Sequence, residues 1–269
     1  MSVVSAFLVP GSPLPRIQNS NPPWNAMARA LSAAGAALIS ASPDSIVVYS
    51  TQWIAVLDQL WQTKNRVVGR HVDENWHEFG ALEYDISVDV DLANACIDAS
   101  SSINVKSRAV NYDAFPIDTG TIIANSFLNE PGKPVVVTSN NVYHDLSVTE
   151  AIGELVARSA REQSKKVAVV GVGGLSGAFF RQEIEPEEDK IFSEADDSAN
   201  REMLDLICSG NCEKAMAFVP EYNERAKPDM GFKHFGFLSG ALGYKYSKAE
   251  VHHYGPLYGS GGAVIEFQL

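Results

Sequence analysis

Short runs of consecutive valine and isoleucine residues constrain the fold of this chain more than any other feature. Uninterrupted apolar residues are typical of strands that are buried on both faces of a sheet. Patterns of helical period separate the runs, the clearest of them at residues 24–38 and 149–163. The alternation predicts an α/β fold with a central, mainly parallel or mixed sheet covered by helices on both faces. The predicted strands are residues 3–9, 45–50, 134–140 and 167–170.

The helix predicted at residues 149–163 has a well-defined apolar face. Thr149 is suited to cap its first turn, because a hydroxyl group can accept a hydrogen bond from a free backbone N–H. The residues that share its buried face are Ile152, Leu155, Val156 and Ser159. No repeat and no Ser/Gly/Pro-rich linker interrupts the chain, so we take residues 1–269 as one domain.

Composition and charge exclude several classes of protein. With 45% hydrophobic and 20% charged residues, the chain is suited to a folded core rather than to disorder. A net charge of -12 argues against a surface for nucleic acid or anionic lipid. The first 15 residues lack a basic region, and no apolar run approaches the ~20 residues of a membrane span. We therefore predict a cytoplasmic protein whose three cysteines, Cys96, Cys208 and Cys212, are reduced.

The glycine-rich stretch from Gly171 to Gly177 leaves three interpretations open. It follows a predicted strand, as a dinucleotide-binding loop does, but its spacing is Gly-x-Gly-Gly-x-x-Gly, and Pro186 limits any following helix. No Lys-Ser/Thr pair of a Walker loop is present. The three interpretations are a nucleotide site, a tight turn without a chemical role, and part of some other active site.

Several stretches together support the third interpretation. VGVGGLSGAFF, AFLVPGSPLP, PDSIVVYSTQWI, FPIDTGTIIANSFL, PDMGFKHFGFLSGALG and GPLYGSGGAVIEF follow one another over most of the chain. In order and content they resemble the motifs of the class III extradiol ring-cleaving dioxygenases, the protocatechuate 4,5-dioxygenase β-subunit superfamily. The resemblance implies a non-haem Fe(II) held by two histidines and one carboxylate, with open positions for an aromatic substrate and O₂.

The same resemblance implies that the chemistry of the site has been lost from this chain. The two histidine ligands would fall on Gly11 and Gln52, and the acid/base histidine on Gly177. The histidine beside the substrate ring would fall on Thr119, and the carboxylate on Asp229 or its neighbour Met230. We therefore predict no catalytic residue, no bound metal and no cofactor in this chain.

The six histidines of the chain do not replace the missing ligands by their spacing. His252 and His253 are adjacent, and adjacent side chains point apart on a strand. His71 and His77 lie near two glutamates but do not form a His-Glu-x-x-His motif, so a surface turn is the preferred interpretation. The other two are His144 and His234.

A chain that retains such a fold without its chemistry is typical of a partner subunit. The resemblance is greatest to the 2-aminophenol 1,6-dioxygenase branch, in which a homologous β subunit carries the iron. It implies a stabilising α subunit in an α2β2 heterotetramer that opens 2-aminophenol or a chloro derivative to a 2-aminomuconic semialdehyde. A diverged stand-alone enzyme and a nucleotide-binding protein remain alternatives. The aromatic residues that we expect at an interface, unless they belong to the core, are Trp61, Trp76, Phe79 and Tyr84.

Overall fold

The structure is a computed structural model that describes residues 2–18, 20–177, 181 and 183–269. Within these residues the chain forms ten strands and eight α-helices. The strands are β1 (Val3–Val9), β2 (Ser45–Ala55), β3 (Gln59–Gln62), β4 (Arg66–His71), β5 (Leu82–Ser87), β6 (Ser107–Val110), β7 (Val135–Asn141), β8 (Val167–Val172), β9 (Lys248–Leu257) and β10 (Ser260–Gln268). The helices are α1 (Leu14–Ile17), α2 (Pro22–Ser40), α3 (Val90–Ala99), α4 (Thr119–Leu128), α5 (Leu146–Glu162), α6 (Glu194–Cys208), α7 (Cys212–Ala226) and α8 (Lys233–Ala241).

Eight strands form one mixed sheet in the order β6-β3-β7-β2-β8-β1-β10-β9. The neighbours β7, β2, β8 and β1 run parallel, and they correspond to the four strands that the valine-rich runs predict. On one side β10 and β9 are antiparallel, and on the other β3 is antiparallel to β7. In the centre, Val48 lies opposite both Val137 and Val170. The predicted fold class is confirmed.

Helices cover both faces of the sheet, and each face has its own apolar core. Val169 packs with residues of α5, α6, α7 and α8, whereas the next residue, Val170, packs with residues of α2 and α4. Because successive side chains of a strand point to opposite faces, a strand between two cores must be apolar at every position. Full burial of each such side chain contributes about 1.5–3 kcal/mol to stability.

The helix α5 begins earlier than predicted. It spans Leu146–Glu162, and its cap is Asp145, whose carboxylate accepts the Val148 N–H at 2.9 Å. Thr149, the predicted cap, is instead inside the first turn, where its hydroxyl group donates to the Asp145 carbonyl oxygen at 2.9 Å. The predicted buried face is confirmed, since Ile152, Leu155, Val156 and Ser159 are all buried.

The antiparallel hairpin of β9 and β10 was not among the predicted strands. Its two-residue turn is Tyr258-Gly259, and both residues have positive φ angles, 55° and 77°. Two positive φ angles define a type I′ turn, which matches the twist of a β-hairpin and favours glycine at the second position. His252 and His253 lie on β9: His252 contacts Glu266 of β10, whereas His253 lies near Arg29 of α2.

Trp61 is fully buried in the core, so its assignment as an interface anchor is wrong. Trp76, Phe79 and Tyr84 are partly buried and pack against the opposite core. All three cysteines are free thiols. None of the helices that the structure describes combines the length and the apolar character that crossing a membrane requires.

Candidate functional site

A cavity of about 540 Å³ opens at the carboxyl ends of β1, β2 and β8. This is the edge of an open α/β sheet where ligands usually bind. Another groove, of about 850 Å³, is lined by the charged outer residues of α6 and α7. We place the candidate site at the sheet edge because three predicted site residues line the cavity there. The cavity is lined by residues Pro10, Gly11, Ser12, Pro13, Thr51, Gln52, Ile54, Asp73, Glu74, Asn75, Trp76, Gly174, Asp229, Met230, Leu257, Ser260 and Gly261.

Gly11 and Gln52, the two positions predicted for lost histidines, are in direct contact. The Gln52 side-chain amide donates to the Gly11 carbonyl oxygen at 3.3 Å. A β-carbon at Gly11 would lie 2.8 Å from Gln52 Nε2 and 3.1 Å from Val172 Cγ1. The two side-chain positions therefore converge, as metal ligands must, but between them they offer only an amide group.

Asp229 lies across the cavity on the turn before α8. Its Oδ2 accepts the Gly174 N–H at 2.8 Å and the Thr51 hydroxyl group at 3.5 Å, and its own N–H donates to the Gly174 carbonyl at 3.3 Å. Its Oδ1 has no hydrogen-bond partner among the described residues. Burial raises the pKa of Asp229, and the hydrogen bonds from Gly174 and Thr51 oppose that rise.

An unusual backbone turn holds Asp229 in place. The next three residues, Met230, Gly231 and Phe232, all have left-handed conformations, with φ angles of 48°, 70° and 65°. For a residue other than glycine this conformation costs about 1–2 kcal/mol. The buried ring of Phe232 packs edge-on against Tyr222 and against His234, which anchors the turn from below.

Thr119 is the first residue of α4, and it contacts a loop that forms one wall of the cavity. Its hydroxyl group donates to Asp73 Oδ2 at 2.9 Å and lies 2.7 Å from His71 Nε2. Asp73 lines the cavity together with Glu74, Asn75 and Trp76. The predicted surface turn is present, with Glu74 and Asn75 exposed, and residues 73–76 of it also form a wall of the cavity. His77 remains exposed on it.

The glycine stretch follows β8 as a hydrogen-bonded loop. Gly173 donates to Val9 at 3.0 Å, Leu175 to Gly261 at 2.8 Å, and Gly177 to Ala226 at 3.1 Å. A β-carbon at Gly177 would lie 2.7 Å from the Lys227 carbonyl oxygen, so position 177 faces that backbone and does not line the cavity. Gly174 faces it instead, since a β-carbon there would lie 3.4 Å from Asp229 Oδ2.

The surroundings of the glycine stretch distinguish between a nucleotide site and part of another active site. A dinucleotide loop leads directly into a helix, whereas the described residues 173–177, 181 and 183–185 contain none. The quoted motif ends in Ala178, Phe179 and Phe180, which, like Gln182, lie outside the described residues. The loop belongs to the wall of the cavity, which favours the active-site origin of the stretch over a nucleotide site.

A buried polar network holds the loop in place, and no local sequence pattern predicts it. Asn200 Nδ2 donates to Ser176 Oγ and to the Tyr254 hydroxyl oxygen, both at 3.1 Å, while Asn200 Oδ1 accepts from Tyr222 at 2.7 Å. Ser176 Oγ also accepts the Gly261 N–H at 2.8 Å. Every polar group of Asn200 is satisfied, so the network makes the loop rigid.

His234 is a second feature that the sequence did not reveal. It is fully buried on α8, and neither ring nitrogen has a hydrogen-bond partner within the described part of the chain. Burial lowers the pKa of His234 to about 3, so the ring is neutral. A β-carbon at Gly173 would lie 2.6 Å from His234 Nδ1, which shows how closely the ring packs beneath the loop.

The side chains around the cavity do not fit a non-haem Fe(II). Such a site requires two imidazoles and a carboxylate directed at one point. Here Gly11 has no donor atom, Gln52 offers an amide, and Asp229 is bonded to Gly174 and Thr51. Among the described residues no group of three His, Cys, Asp or Glu side chains is placed to hold a metal ion. The imidazole of His71 is engaged with Thr119.

Comparisons with known proteins agree with this geometry. The family model described as the catalytic LigB subunit of aromatic ring-opening dioxygenase matches residues 12–266. The chain is 48% identical to the 2-aminophenol 1,6-dioxygenase alpha subunit of a Pseudomonas species, over 100% of both chains. It is 26% identical to the beta subunit of the same name from Pseudomonas, over 99% of this chain and 94% of that one.

Two more distant proteins are also similar to this chain, one in sequence and one in structure. The chain is 21% identical to the 3,4-dihydroxyphenylacetate 2,3-dioxygenase of Escherichia coli, over 80% of this chain and 79% of that one. The crystal structure of an uncharacterized protein from Escherichia coli K12 superposes with a TM-score of 0.71 at 13% identity, covering 98% and 99% of the two chains. This last similarity concerns the fold alone.

Proposed function

Because the chain belongs to the LigB family of aromatic ring-opening dioxygenases, we propose that it is the non-catalytic α subunit of a 2-aminophenol 1,6-dioxygenase complex. The complex cleaves the ring of 2-aminophenol, or of a chloro derivative, with O₂ and forms a 2-aminomuconic semialdehyde. The Fe(II) and the catalytic side chains belong to a homologous β subunit. The complex is an α2β2 heterotetramer in the cytoplasm, and this chain stabilises its partner.

One observation supports this proposal more than any other. The chain matches a protein named as an alpha subunit at 48% identity over its whole length, while its cavity presents Gly11 and Gln52 where ligands would be needed. The match to the beta subunit of the same name is weaker, at 26% identity. A chain that keeps the family fold but not the donor set is suited to assembly rather than to chemistry.

Metal analysis and turnover distinguish a subunit from an independent enzyme. The chain alone, a β-type partner alone and the two co-expressed are purified anaerobically, and iron content and cleavage of 2-aminophenol are measured for each. We expect stoichiometric iron and ring cleavage only where the partner is present. Stoichiometric iron in this chain alone, together with ring cleavage by it, would establish a stand-alone enzyme and overturn the proposal.

A further inference from the structure

We propose that the cavity binds a small ring-bearing primary amine in its protonated form, and that Asp229 accepts the hydrogen bonds of the ammonium group. Such a site would be separate from any iron centre, because the cavity lacks the ligands for one. The inference starts from three properties of the cavity: its charge, its walls and the rigidity with which Asp229 is held.

The charge of the cavity selects a cation. Asp73, Glu74 and Asp229 line it, and no lysine, arginine or histidine is among its described lining residues. His71 does not line the cavity, and its Nε2 lies 2.7 Å from the Thr119 hydroxyl group, which in turn donates to Asp73. Without a metal ion, these carboxylates repel an anion and attract an ammonium group.

Asp229 supplies an acceptor that the protein leaves unused. Its Oδ2 is engaged by Gly174 and Thr51, but Oδ1 has no partner among the described residues. Asp229 is only partly buried, and its Oδ1 is not among the enclosed polar atoms, so this oxygen is open to the cavity and can accept a hydrogen bond. An ammonium group has three donors and would satisfy it.

The walls of the cavity are suited to a ring. Trp76 and Leu257 line it, and Ile54 and Met230, which are 52% and 36% exposed, stand at its mouth. Its volume of about 540 Å³ lies within the ~300–1,000 Å³ that is common for small-molecule sites. Apolar walls with a few fixed polar groups are the usual composition of such sites.

Asp229 is also held rigidly, as binding residues commonly are. The left-handed residues Met230, Gly231 and Phe232 follow it, and strained backbone of this kind is concentrated at ligand clamps and active sites. Opposite Asp229, the satisfied network around Asn200 fixes the loop that carries Gly174. A carboxylate positioned in this way loses little entropy when a ligand binds.

The test compares two probes of the same shape and opposite charge. Benzylamine and benzoate are titrated at pH 7.5 into the purified full-length chain without its partner, and binding is measured by isothermal titration calorimetry. We expect benzylamine to bind at least about tenfold more tightly than benzoate, from the charge-assisted hydrogen bond. Equal affinity, tighter binding of benzoate, or no binding of benzylamine at millimolar concentration would overturn the proposal.

Variants locate the site. Asp229→Asn keeps the shape of the side chain and should weaken benzylamine binding at least about tenfold, whereas Asp205→Asn, on the exposed face of α6, should leave it unchanged. Should Asp229→Asn fail to fold, Ile54→Arg places a cation at the mouth and is expected to reverse the preference between the probes. Unchanged selectivity in the folded variants would refute the site. Because the partner is absent, failure here leaves the proposed subunit role untouched.

Discussion

Gly11, Gly120 and Val172 limit the size of the side chains that fit beside the cavity at positions 11 and 120. A β-carbon at Gly11 would lie 3.1 Å from Val172 Cγ1, and one at Gly120, at the start of α4, would lie 3.0 Å from the same atom. Val172 thus occupies the space between the end of β1 and α4. Any larger residue at position 11 must displace this methyl group or the end of Gln52.

Restoring the missing imidazoles will not restore catalysis. In the double variant Gly11→His and Gln52→His, the new ring at position 11 competes for space with Val172 and with the side chain at position 52, and no acid/base group faces the cavity from position 177. The loss of an acid/base group alone costs about 10²–10⁴ in rate. The new imidazoles would also need hydrogen-bond partners that orient them toward the metal, and two substitutions do not supply these. We expect turnover of 2-aminophenol below about a thousandth of that of the complex, measured for the iron-loaded variant alone.

Gln52→His alone is the matched control for this experiment. Gln52 is exposed, so its replacement tests folding and iron uptake without crowding at position 11. Both variants are assayed beside the unmodified chain. Ring cleavage by the double variant within tenfold of the complex would contradict the view that this chain has lost more than two ligands.

The length and burial of a strand or helix determine whether the sequence predicts it. The four central parallel strands are apolar and mostly buried, and α2 is long with one buried apolar face, so their patterns are unambiguous. By contrast, β3 and β6 have four residues each, and the ribbon of β4 and β5 is partly exposed. Such short segments bury too few side chains to leave a periodic pattern.

Some residues of the candidate site could be predicted from the sequence, and others could not. Gly11, Gln52 and Asp229 could be proposed from the sequence because each lies in a stretch that resembles a motif of the ring-cleaving dioxygenases. The contacts of His71 with Thr119 and of Asn200 with Ser176 join residues 48 and 24 positions apart. Nothing in the local sequence specifies such pairs, because only the packing of distant elements brings them together.

Asp145 stabilises α5, and its removal should have a measurable cost. Asp145→Ala removes the cap on the Val148 N–H, and loss of such a cap typically costs about 1 kcal/mol in the free energy of unfolding. Ser147→Ala, which removes only a hydroxyl donor to the same carboxylate, should cost less. Denaturation by urea at pH 7.5 gives both values. Equal stability of Asp145→Ala and the unmodified chain would contradict the assignment of the cap.

The effect of the cap also depends on pH. The Val148 N–H and then the Ser147 hydroxyl group lower the pKa of Asp145 in the folded chain. A lowered pKa means that the contribution to stability is present above the unfolded value, ~3.9, and is lost as the pH falls through the folded value. The difference between Asp145→Ala and the unmodified chain should therefore narrow below about pH 4. A difference that widens on acidification would argue against this assignment.

At the scale of the whole molecule, stability and assembly are expected to be coupled. The core is complete within the chain, since both faces of the sheet are covered and Trp61 lies inside it. The chain therefore does not need a partner to finish its own fold. If it functions as a subunit, its contribution is to bind the folded partner, and mass action then stabilises that partner.

Assembly with a partner and the stability of that partner can be measured together. Co-expressed with a β-type partner, the 29.1 kDa chain should elute in a complex whose mass by light scattering fits two copies of each subunit. A stable assembly of this kind typically buries ~2,000 Å² or more at its interfaces. Because binding stabilises only the folded state, the melting temperature of the partner should rise when this chain is added and should increase further with protein concentration. Elution of this chain as a monomer, with a partner that is equally stable and active without it, would exclude a stabilising subunit.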